Sequence, residues 1–76
     1  MKVKLIWKFY GNESVKTAKH HLVHLIEYST KNNLDIFGDG IEKISENYSE
    51  AYIIVKKNNV DSLRKKLKPH KGVLLK

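Results

Sequence analysis

His20 and His24 are four residues apart, and Glu27 follows three further on. On a helix that spacing brings the two imidazoles together one turn apart, where they could share a divalent metal with Glu27 as a third ligand. Nothing in the sequence supplies a fourth ligand. An exposed imidazole with no group behind it to orient it is usually solvated, so no metal is expected. His21, on the flank of the same segment near Leu25 and Tyr28, reads as a packing residue.

A second set of chemistry-bearing residues is basic and aromatic. Lys2, Lys4, Lys8 and Tyr10 share one side of an alternating run, and Tyr52, Ile54 and Lys56 share one side of another. Lysines interleaved with tyrosines can hold nucleic acid, cations on phosphates and rings on bases. The competing account is solubility, because exposed strands commonly carry Lys as protection against aggregation. A third set is Arg64, Lys65, Lys66, Lys68, His70 and Lys71, which suits phosphate-rich partners. Cations in a helix's last turn are also favoured by the helix dipole alone.

Catalysis has little to build on. Cysteine is absent, which removes thiol nucleophiles, disulfides and thiolate metal sites. No Ser/His/Asp arrangement can be assigned, so neither an enzyme nor a cofactor is expected. Gly38-Asp39-Gly40 could let a backbone approach a phosphate, but a phosphate loop leads into a helix and this one leads into a strand-like run. A turn or bulge is the expectation there.

The elements that would carry these residues follow from periodicity. Lys2 to Tyr10 alternates Val3, Leu5, Trp7 and Phe9 against Lys2, Lys4, Ile6, Lys8 and Tyr10, a strand with one buried and one wet face. Gly11-Asn12 breaks it, and Asn12 is expected to cap a helix from Glu13 to Lys31, with Glu13 in its first turn. Val15, Ala18, Leu22, Leu25 and Ile26 form the expected inner stripe, and Asn32-Asn33 the stop. A second strand begins at either Leu34 or Ile41, with Gly38-Asp39-Gly40 as a bulge or hairpin turn and Asn47-Tyr48-Ser49 as the next turn. Glu50 to Lys57 is apolar enough for a central strand. Asn58-Asn59 opens a short helix with Val60, Leu63 and Leu67 inward, Pro69 ends it, and Gly72 to Lys76 is a last strand.

One domain is expected, since 76 residues leave room for a single core. The order strand, helix, strand, strand, helix, strand resembles the ferredoxin-like fold, an α+β sandwich with a four-stranded antiparallel sheet and two helices on one face. The resemblance spans the whole chain and is one of topology, which many functions share. It implies a strand order 4-1-3-2. Against relatives by topology, the chain departs in each motif. RNA recognition motifs want glycine and several aromatics in strand three, acylphosphatases an arginine after strand one, and heavy-metal chaperones a cysteine pair. ACT-type regulatory domains begin their ligand loop where Gly11-Asn12 stands.

Charge is segregated. Residues 1–33 carry six lysines against Glu13 and Glu27, residues 34–55 carry Lys43 against five acids, and residues 56–76 carry eight cations against Asp61. The whole is +7, with basic first and last strands and an acidic second. Fourteen of the fifteen cations are Lys, better suited to general attraction than to bidentate recognition. No apolar run reaches the roughly 20 residues of a membrane span, and Met1-Lys2-Val3 does not open as a signal peptide does. The expectation is a small cytoplasmic binding module contacting nucleic acid or an acidic protein. The alternative is a self-associating or ligand-responsive domain, ACT-like, that pairs through its sheet edges.

Overall fold

The computed structural model describes residues 1–75. Strand β1 (Lys2–Tyr10), helix α1 (Ser14–Lys31), strands β2 (Gly38–Ser45) and β3 (Tyr48–Lys56), helix α2 (Val60–Leu67) and strand β4 (Lys71–Leu75) follow one another, with a 3₁₀ turn at Lys57–Asn59 before α2. Lys76, expected to close the last strand, lies outside the described residues. The sheet is open and wholly antiparallel in the order β2-β3-β1-β4. This α+β arrangement is compatible with a ferredoxin-like fold.

Alternation in β1 does what its period requires. Val3, Leu5 and Trp7 are buried with Ile53 and Val55 of β3, and Leu25 of α1 and Leu63 of α2 complete the same core. Both helices therefore cover one face of the sheet. Trp7 donates its indole N–H to the carbonyl of Leu67 at 2.8 Å, which ties the last turn of α2 to β1.

The start of α1 differs from expectation. Glu13, not Asn12, occupies the cap position, with no side-chain cap and no acid in the first turn. Gly11, at φ +114, turns the chain so that its own carbonyl accepts the Ser14 N–H at 3.0 Å. That turn satisfies an end group which an Asn side chain would otherwise cap. The inner stripe is also rotated. Ser14, Ala18, Leu25 and Ser29 are buried, while Ile26 is at the exposed margin. Small residues bring the helix close to the sheet, and the Ser14 hydroxyl meets that of Ser49 at 2.9 Å. At the other end Asn33 takes the left-handed conformation expected of it, at φ +56.

Strand two begins at neither Leu34 nor Ile41. Gly38-Asp39-Gly40 lies inside β2, paired with Ile54, Ile53 and Tyr52, and the irregularity falls instead between Lys43 and Ser45. The glycines serve close approach rather than a turn. A Cβ at Gly40 would stand 2.7 Å from the Tyr52 hydroxyl, and one at Gly38 would stand 3.0 Å from Ile54 Cδ1. Tyr48 likewise belongs to β3 rather than to the turn before it.

Candidate nucleic-acid interface

The face of the sheet away from the helices is built by register. Opposite one another on β1 and β3 stand Tyr10 and Tyr48, Lys8 and Glu50, Ile6 and Tyr52, Lys4 and Ile54, Lys2 and Lys56. Strand β4 adds Lys71 beside Ile6, Val73 beside Lys4 and Leu75 beside Lys2. Strand β2 adds Gly40 beside Tyr52 and Glu42 beside Glu50. The face is less wet than a lysine-rich alternation suggests, since Ile6 at its centre is only 6% exposed.

Several of the expected cations are already engaged. Lys4 Nζ lies 4.3 Å above the centre of the Tyr52 ring and 3.1 Å from Glu42 Oε1. It thus spans β3 to reach β2 and covers one face of the tyrosine. Lys2 Nζ sits 4.3 Å over the Phe37 ring, and Lys56 Nζ is 3.8 Å from Asp35 Oδ2. Lys8 and Lys71, diagonal to each other beside Ile6, make no ion pair among the described residues.

At one end the Tyr10 and Tyr48 rings stack with centroids 4.8 Å apart and planes 12° from parallel. Tyr10 is 73% exposed. The Tyr48 hydroxyl donates to the Glu50 carboxylate, and that hydrogen bond, with burial and the Glu50 charge behind it, pushes the phenol up to about 12. Tyr48 therefore stays a neutral donor and is anchored from β3, while Tyr10 offers its outer surface. Sequence reading missed Tyr48 as part of this face. The signal was available, since stepping back from Tyr52 by two residues at a time reaches Glu50 and then Tyr48.

The two basic sets expected from the sequence fall on two surfaces, with Lys71 on β4 and not beside the cations of α2. Lys2, Lys4, Lys8, Tyr10, Tyr52, Lys56 and Lys71 share the open face. Arg64, Lys65, Lys66 and Lys68 lie on α2 and its C-cap, in the layer behind the sheet.

The histidines are elsewhere again, on α1. His20 and His24 bring their Nε2 atoms to 3.1 Å, but Glu27 Oε1 is 3.5 Å from His24 Nδ1, the opposite ring nitrogen. A carboxylate there orients an imidazole instead of joining it on one ion. Among the described residues no group of three possible ligands is assembled. His21 packs its ring between those of Trp7 and Phe9, at centroid distances of 5.5 and 5.3 Å. Burial, and then the charges of His24, His70 and His20, lower its pKa from the usual 6.5. Its Nε2 is buried without a hydrogen-bond partner.

His70 plays a structural part. Its backbone N–H donates to the Ile6 carbonyl at 2.9 Å, and its Nδ1 accepts the Lys8 backbone N–H at 3.0 Å. The imidazole thereby extends the β1 ladder one step beyond the start of β4.

No helix among the described residues is long and apolar enough to cross a membrane. Comparison with protein-family models, curated proteins and solved structures finds no match to this chain.

Proposed function

We propose that this chain is a ferredoxin-like binding module, without catalytic activity, whose open sheet face holds single-stranded nucleic acid in a cytoplasmic setting. The observation that carries the reading is the Tyr10–Tyr48 stack on the same sheet face as Lys8 and Lys71, two cations with no ion pair among the described residues. A base can extend the stack on the outside of Tyr10, and the two ammonium groups can meet flanking phosphates. A second base reaches Tyr52 only after Lys4 leaves the ring and exchanges Glu42 for a phosphate. Single strands fit better than duplex, because stacking on a protein ring needs an unpaired base face.

The test is an amide and side-chain NMR titration with an oligouridylate of about ten nucleotides, long enough to cover one such face. Resonances of Lys8, Tyr10, Tyr48 and Lys71 are expected to shift together, and those of the outer face of α1 to stay put. Shifts confined to α2, or none at low salt, would overturn the reading.

The opposite charges of the two open sheet edges favour a second reading. Asp39, Glu42 and Glu46 lie along or just beyond β2, while Lys68, His70 and Lys71 lead into and begin β4. Pairing of one edge with the other between molecules is heterologous and would build open-ended assemblies. Sedimentation at high concentration and low salt decides this, a monomer excluding it.

A further inference from the structure

Behind the sheet, α2 and β4 do not close on each other. Between them runs a groove of about 570 Å³ lined by Val3, Leu5, Val60, Arg64, Gly72 and Leu74. Its size falls in the range of roughly 300–1,000 Å³ found for small-molecule sites. Three features of the chain create it. Helix α2 has only eight residues, and Leu63 in the core and the Trp7–Leu67 hydrogen bond hold it towards β1. The helix-facing positions of β4 are Gly72, opposite Leu5, and Leu74, opposite Val3. Gly72 adds no side chain above the buried Leu5, so its own exposed backbone forms the floor, and Leu74 remains 47% exposed although it points into the helix layer.

The rim has a chemistry of its own. Arg64 is the only arginine among the fifteen cations of the chain, and it stands at this groove. Lys57 and Lys71 line the groove with it, against the single acid Asp61. None of these four residues makes an ion pair among the described residues, so the guanidinium has no carboxylate partner among them. A guanidinium presents a planar fork that matches a carboxylate or phosphate, which a lysine does not. An apolar floor and an uncommitted fork at its edge are complementary to one kind of occupant.

We propose that the groove between α2 and β4 binds a small organic anion with an apolar body, its carboxylate or phosphate on Arg64 and its apolar part over Val60, Gly72 and Leu74. Apart from Lys71, at the edge the two sites share, this groove lies on the other side of the sheet from the proposed nucleic-acid face, and it does not depend on that reading.

Gly72 makes the proposal testable. A Cβ added there meets Leu5 Cδ2 and Val3 Cγ1 at 3.6 Å, ordinary contact, so Gly72→Leu fills the floor on an unstrained backbone. The experiment is an NMR titration of the protein with octanoate and with octyl phosphate, using octanol as the uncharged control. Saturable shifts are expected at Val60, Arg64, Gly72 and Leu74 with at least one of the two anions. Gly72→Leu should abolish them while its amide spectrum stays folded and its oligouridylate binding is unchanged. Arg64→Gln should weaken the anion at least about ten-fold, the scale of a lost charge-assisted hydrogen bond, and leave octanol unaffected. The relative affinities of the two anions then say which headgroup the fork prefers. Absent saturation with both anions, or anion binding untouched by Arg64→Gln, would overturn the proposal. Should Gly72→Leu fail to fold, the Arg64→Gln comparison decides alone.

Discussion

At the scale of single residues, His21 is the side chain whose chemistry and surroundings are most at odds. Its ring is held between Trp7 and Phe9, its Nε2 lacks a partner, and burial lowers its pKa. As pH falls below 6.5, the unfolded chain takes up a proton at this position before the folded one does. The native state therefore loses stability as pH falls from 6.5 toward the lowered folded value, and the loss is absent above 6.5. His21→Phe should flatten the pH dependence of stability in that window and raise stability at neutral pH by about 1 kcal/mol, from removing an unsatisfied polar atom. Urea unfolding at several pH values checks both, and an unchanged slope would mean other groups set it. Tyr10 is the corresponding residue on the open face. Tyr10→Ala should weaken oligouridylate binding by about five-fold or more, one base stack being worth roughly 1–3 kcal/mol, without altering the melting temperature much. His21 was legible in the sequence as a packing residue because it flanks an apolar stripe. Its orphaned nitrogen was not legible, since that depends on which rings close over it.

At the scale of elements, β1 and its helix-facing partners were readable because a two-residue period has only one way to bury Val3, Leu5 and Trp7. Strand β2 was not. Glycine signals both turns and close approach, and only the position of the Tyr52 ring, three-dimensional information, separates the two at Gly40. Gly40→Ala therefore sets crowding against strand propensity. The net stability change is expected to stay within about 1 kcal/mol, while the Tyr52 ring, covered on one face by Lys4, is displaced. Tyr52 ring resonances that do not move would contradict this. The small inner residues of α1 escaped for a similar reason, since Ser14 and Ser29 carry no hydrophobic signal yet sit against the sheet. For α2 the indole hydrogen bond is a second tether beside the Leu63 contact. Trp7→Phe keeps an aromatic in the core but strips the Leu67 carbonyl of its donor, a loss of about 1–3 kcal/mol that circular dichroism melting would register. A melt unchanged from the parent would mean that this bond does not hold α2.

At the scale of the whole molecule, the strand order gathers the basic β1 and β4 at one side and leaves the acidic β2 at the far edge. That polarity could be inferred from charge segregation and topology. What could not be inferred is how much of it the protein spends internally. Lys4 crosses to Glu42 and Lys56 to Asp35, so the open face presents fewer free cations than its lysine count implies. The division of the basic residues between the two layers was legible, because a topology with both helices on one face puts α2 behind the sheet, whereas the place of Lys71 on β4 was not. The claim on which the account rests is that the open face attracts a nucleic-acid strand through the few cations left free. The most direct measurement is fluorescence anisotropy of a labelled oligouridylate across a salt series, with the parent protein, Lys8→Gln and Tyr10→Ala. Binding should weaken linearly in log salt, with a slope of about −0.7 per phosphate met. Lys8→Gln should flatten that slope by one such step, and Tyr10→Ala should lower affinity at every salt concentration while leaving the slope alone. No binding at low salt, or a slope and affinity that neither substitution changes, would contradict the claim.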